Sequence, residues 1–176
     1  MKKSLLFFQI TGFIFTCVLG TLLHFLYDWT GGNVIVALVS GVNESTWEHM
    51  KLMFYPMAIF SIIQYKFIGS DYLKFWSTKL TGLILSLILI PIFYYTYTGI
   101  FGVNADWFNI AIFFISAALA YFAEYQLFKS EKGFDINTKS AIIILAAISL
   151  LFTVNTFSPP EIPLFQDPIT KMYGIN

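Results

Sequence analysis

The stretch SLLFFQITGFIFTCVLGTLLHFLY, residues 4–27, contains no Asp, Glu, Lys or Arg, and its reading decides the class of fold. At about 1.5 Å per residue, a helix of this length covers the apolar core of a bilayer, about 30 Å thick. Four further apolar runs are long enough to do the same: Thr46–Ile68, Leu73–Tyr97, Trp107–Phe128 and Ser140–Thr156. Together they predict an all-α polytopic bundle of about five transmembrane helices within residues 1–157. A proline-rich tail, residues 158–176, is expected to pack on its outer face.

Composition points the same way. Of the 176 residues 57 % are hydrophobic and 11 % charged, against about 25 % charged in soluble domains. Twenty Phe and ten Tyr, added to the aliphatic side chains, exceed what one soluble core could bury, so lipid must cover much of the surface. The net charge of zero suggests no nucleic-acid footprint, and the length leaves room for one domain. The single cysteine, Cys17, excludes an internal disulfide and a cysteine-based zinc site. Lys2 and Lys3 ahead of the first run imitate a secretion signal. The run is too long for a signal core and no small-residue cleavage site follows, so a retained first helix is expected.

Lysine placement suggests an orientation. Lys2, Lys3, Lys66, Lys74, Lys79, Lys129, Lys132 and Lys139 fall at one end of the spans, with only Lys51 and Lys171 at the other. By the positive-inside rule the N-terminus lies in the cytoplasm and the C-terminus outside a cell membrane. Asp28, Glu44, Glu48, Asp106, Glu161 and Asp167 then gather at the outer end. Asp106, a capping residue type, opens the fourth span beside Trp107. Pro56 and Pro91 lie inside the second and third spans, where each removes a backbone donor and predicts a kink. Val34–Val39 is apolar but too short to cross, and is expected to be re-entrant or interfacial. The tail, with Pro159, Pro160, Pro163 and Pro168, reads as extended, and its Glu161 and Asp167 are within reach of the outer end as a lid.

Residues able to carry chemistry concentrate in two places. Gly12, Thr16, Gly20, His24 and Asp28 recur every four residues along the first helix, near one face. The small residues predict a packing groove, which turns His24 and Asp28 toward protein. The second place is Asn43-Glu44-Ser45-Thr46-Trp47-Glu48-His49-Met50-Lys51, leading into a hydrophobic helix. Ser45 and Glu48 make a capping box, and Lys51 is spaced to pair with Glu48 or Glu44, so part of the run has a purely structural explanation. Capping does not require Glu44, Glu48 and His49 together. If the first helix ends against this turn, His24, Asp28, His49 and Glu48 are candidate ligands for a divalent metal such as zinc. Glu44 or Glu48 is then a candidate general base. The spacing is not that of a helical H-E-x-x-H site, and a hydrogen-bonded His24–Asp28 pair is the plainer alternative. Glu124, toward the cytoplasmic end of the fourth span, reads as snorkelling or pairing with Lys129.

The run Val42–Lys51 with Pro56 beyond it looks like the signature of a family of small bacterial integral membrane proteins with a domain-of-unknown-function label. His24-Phe25-Leu26-Tyr27-Asp28-Trp29 fits that family too, as does Pro163-Leu164-Phe165-Gln166-Asp167-Pro168 with Tyr173-Gly174. The resemblance spans most of the chain and implies a bacterial multi-pass protein; it brings no activity with it. Three functions remain open. One is a metal-dependent membrane hydrolase or transferase acting on a lipid or lipid-linked substrate. The others are a structural or accessory subunit, and a transporter that would need a homo-oligomer because five helices show no repeat.

Overall fold

The computed structural model describes residues 4–130 and 136–175. Five helices follow one another: α1 (Leu5–Trp29), α2 (Thr46–Ile68), α3 (Phe75–Phe101), α4 (Asp106–Ser130) and α5 (Thr138–Phe157). No strand occurs among the described residues. All five helices are long and apolar enough to cross a membrane, which makes the chain a multi-pass membrane protein by length and composition. Lys2, Lys3 and Lys132, which the orientation used, lie outside the described residues.

α2 is the most enclosed helix, packed between α1 and α3, while α4 closes the bundle against the same two. Met53, Met57, Phe60, Leu83, Ala117 and Tyr121 form its centre. α5 is the most exposed; Ile142, Ile143, Leu150, Leu151 and Val154 face outward, a surface that lipid rather than water solvates.

The small-residue stripe of α1 is a packing groove. A Cβ at Gly12 would fall 2.6 Å from the rings of Phe60 and Tyr121, and one at Gly20 would fall 2.6 Å from Phe113. Thr16 and Tyr121 share a hydrogen bond of 2.8 Å between their hydroxyls. α2 and α3 run unbroken through Pro56 and Pro91. Pro56 leaves the Leu52 carbonyl without its helical donor. That carbonyl abuts Gly20, only 3.0 Å from where a Cβ would stand, so a bare backbone on α1 lets the two helices close here.

Glu124 neither snorkels nor pairs with Lys129. It is wholly buried on the inner face of α4 and bonds Lys79 of α3 at 2.5 Å, while the Lys129 ammonium lies over the Tyr125 ring. A carboxylate with no exposed path must find its counter-ion inside the bundle, and Lys79 is one turn deeper than a flanking lysine. Gly82 makes room for the pair: a Cβ there would overlap the Glu124 side chain at Cγ. Gly82→Ala is therefore expected to lower stability by about 1–3 kcal/mol through overpacking. Denaturant unfolding in detergent micelles measures this, and an unchanged midpoint would mean the carboxylate moves aside freely.

At the other end, Val34–Val39 folds around a short 3-10 turn at Val36–Leu38. It is strapped to both neighbouring helices. The Ser40 hydroxyl donates to the Leu23 carbonyl and accepts from Tyr27 N at 3.0 Å, and Lys51 Nζ donates to the Ala37 carbonyl at 2.9 Å. The tail packs on this same end. Trp47 sits between Phe152 and Phe165 at ring separations of 4.6 and 4.7 Å, and Asn43 Nδ2 donates to the Gly174 carbonyl at 3.0 Å.

Candidate metal centre

The strap at residues 34–41 turns the chain back so that the last turns of α1 meet the first turn of α2. Ser45 caps α2, its Oγ accepting from Glu48 N at 3.3 Å. The reciprocal half of the capping box is made differently: Ser45 N donates to Asn43 Oδ1 at 2.9 Å, leaving the Glu48 side chain for other partners. This cap fixes His49 one turn in. His49 Nδ1 lies 3.0 Å from the Ser45 carbonyl, and because a carbonyl only accepts, Nδ1 carries the proton. In the neutral ring this leaves the Nε2 lone pair facing Glu44.

Glu44 stands between two imidazoles. Its Oε1 is 3.5 Å from His24 Nε2 and its Oε2 is 3.6 Å from His49 Nε2. The two rings are 5.4 Å apart between centroids. One ligand atom from each of His24, Glu44 and His49 lies within 4.8 Å of the other two, a grouping that could hold a metal ion. A carboxylate oxygen facing an imidazole lone pair at such range is two acceptors in opposition. A cation between them, whether a proton on the ring or a metal ion, removes the conflict.

A cleft of about 450 Å³ opens beside the three residues, between α1 and α4, with Leu52 of α2 at its floor. Thr21 and Phe25 line it from α1, and Asp106, Asn109, Ile110 and Phe114 from α4. Phe25 and Ile110 are exposed on the bundle surface, so the cleft is open on their side. A smaller recess of about 60 Å³ continues past Asp106 and Asn109 toward Tyr94 of α3. Asn109 is held rigid: Tyr97 donates to its Oδ1 at 2.5 Å, and its Nδ2 donates to Asn104 Oδ1 at 2.8 Å.

A model of the protein family described as "Family of unknown function (DUF6512)" matches residues 2–175. The chain belongs to that family. No curated protein and no solved structure matches it.

Of the ligands and bases expected from the sequence, this DUF6512 chain brings together His24, Glu44 and His49. Asp28, one turn beyond His24, is exposed and outside the group. Glu48 is also outside it. Its buried carboxylate pairs with Lys51 Nζ at 2.5 Å, accepts from Thr156 Oγ1 at 3.0 Å and from Val42 N at 3.2 Å, and so ties α2 to α5 and the strap. Positions 48 and 49 are about 100° apart on a helix, so the two side chains serve different neighbours. Asp106, a cap by its sequence position and one of the acidic residues expected at this end, is the first residue of α4 and lines both parts of the cleft with Glu44 and His49. Of the tail, Glu161 is exposed, and Asp167 Oδ1 accepts from Ile169 N at 2.7 Å and Thr170 N at 3.3 Å. Asp167 thus shapes its own turn, and its neighbours Pro168 and Ile169 border the cleft, Pro168 at the smaller recess.

Proposed function

We propose that the chain is a membrane-embedded, metal-dependent hydrolase or transferase that works on a lipid or lipid-linked substrate at the outer face of a bacterial cell membrane. The carrying observation is Glu44 held 3.5 and 3.6 Å from the Nε2 atoms of two histidines at the mouth of a laterally open cleft. Ligand atoms bound tetrahedrally at about 2.0–2.2 Å stand about 3.3–3.6 Å apart. His24 and His49 face different oxygens of Glu44, and with one ligand atom from each residue the three lie within 4.8 Å of one another, so rotation of the partly exposed side chains would close them on zinc or a similar ion. The Ser45 carbonyl on His49 Nδ1 is the kind of outer partner that fixes a ligand's tautomer.

Three protein ligands leave a coordination position open, where a bound ion polarises a carbonyl or phosphoryl oxygen or activates water. Asp106 then replaces Glu48 as the free carboxylate of the cleft, positioned as general base. Asn109 offers the remaining hydrogen of its fixed amide to a headgroup. Phe25, Ile110 and Phe114 supply the wall along which an acyl or prenyl chain enters from the bilayer. The lysines near the far end, Lys66, Lys74, Lys129 and Lys139, favour placing that end in the cytoplasm and the cleft outside.

A second reading, an accessory subunit, draws on the Glu48–Lys51–Thr156 network, which gives half of the motif a structural role. Purified protein reconstituted with a bacterial lipid extract separates the two. Mass spectrometry is expected to find a lipid product that forms with zinc or manganese present and disappears with chelator. Absence of any metal-dependent product, from folded and reconstituted protein, favours the accessory role.

A further inference from the structure

We propose that the bundle holds a second polar site, a layer of bound water enclosed by Gln9, Gln64 and Glu124 at the end opposite the histidines. The layer follows from the register of the helices. Gly12 of α1 touches Phe60 of α2 and Tyr121 of α4, and Gly20 touches Phe113, so α4 runs antiparallel to α1. The ring pairs Phe8–Phe67 and Phe15–Phe60 show the same for α2. One turn from the Gly12 level toward a single end, the next residues on those faces are Gln9, Gln64 and Glu124. Gln9 is 4 % exposed, and Gln64 and Glu124 are 0 % exposed.

Lys79 bonds one oxygen of Glu124. Among the described residues, Glu124 Oε1, both amide atoms of Gln9 and both of Gln64 are buried with no hydrogen-bond partner. Buried amides and carboxylates are nearly always bonded, and three helices bringing such groups to one level is not a packing accident of one side chain. The chemistry of the guest follows from charge and donor count. Lys79 and Glu124 already neutralise each other, so an added cation or anion would sit in the bundle uncompensated. The free groups are three acceptor oxygens and two amide donors. Water, which both donates and accepts, serves that mixture. It solvates a salt bridge that the bilayer interior would otherwise penalise.

The chain has four glutamines, Gln9, Gln64, Gln126 and Gln166, so labelling their side-chain amides gives an internal control. Gln126 is exposed, and Gln166 donates to the Lys171 carbonyl at the surface. In water-edited solid-state NMR of the full chain in lipid bilayers, all four amides are expected to receive water magnetisation. Gln64→Met should delete one of the two buried signals. If that variant fails to fold, Gln126→Met and Gln166→Met assign the buried pair by subtraction. Transfer confined to Gln126 and Gln166 would overturn the proposal, as would a direct bond between the Gln9 and Gln64 amides.

Discussion

Lys51→Met is expected to cost about 3–5 kcal/mol of stability, because it leaves the Glu48 carboxylate buried without its counter-charge. Lys51 is fully buried and its Nζ makes three contacts: Glu48 at 2.5 Å, Thr156 Oγ1 at 2.8 Å and the Ala37 carbonyl at 2.9 Å. Removing it takes away the ammonium's bonds to the strap and to α5, and leaves Glu48 with only its bonds from Thr156 and Val42 N. Equilibrium unfolding in detergent, by denaturant titration, measures the loss. The double variant Glu48→Gln with Lys51→Met should recover part of it, since no unpaired charge remains. A Lys51→Met protein within about 0.5 kcal/mol of the native one would show that water reaches Glu48 and that the network holds little together.

Paired substitutions at the cleft should separate binding from chemistry. Loss of outer-shell partners alone weakens metal sites about 10–100-fold, so removing a ligand in Glu44→Ala should weaken binding by more than about 100-fold. The fold should survive, because the Glu44 side chain is 40 % exposed. Asp106→Asn should keep the metal and lose turnover by about 10²–10⁴-fold, the usual contribution of a general base. Chelator competition reads the first effect and lipid turnover the second. Acidification also has a definite sign: imidazole ligands bind only when neutral, so native affinity should fall as pH drops. Equal metal affinity in native and Glu44→Ala protein would exclude Glu44 as a ligand.

The five spans were legible because length and apolarity report burial in lipid directly, whatever neighbours a helix has. The Gly12–Thr16–Gly20 stripe was legible for a related reason, since backbone approach tolerates few residue types. Which ionisable group meets which was not. Glu48 and His49 are adjacent, and nothing in the sequence tells which of them turns inward; the answer came from Lys51, three residues on, finding Thr156 of α5. Lys79 counted as a flanking lysine because its depth depends on where α3 begins, which is Phe75. Asp106 looked like a helix cap, and only the approach of α4 to α1 brings it to the cleft shared by Glu44 and His49. His24 was found with its site because the groove fixes the face of α1 and places it one turn beyond Gly20.

The direct test of the central claim is the metal content of the purified native chain by elemental mass spectrometry, beside the His24→Ala, His49→Ala double variant. About one divalent ion per chain is expected in the native protein, as a single three-ligand site binds, and none in the variant. A native chain that stays free of metal after zinc, manganese and iron(II) are supplied, with histidine Nε2 resonances unmoved, would contradict it.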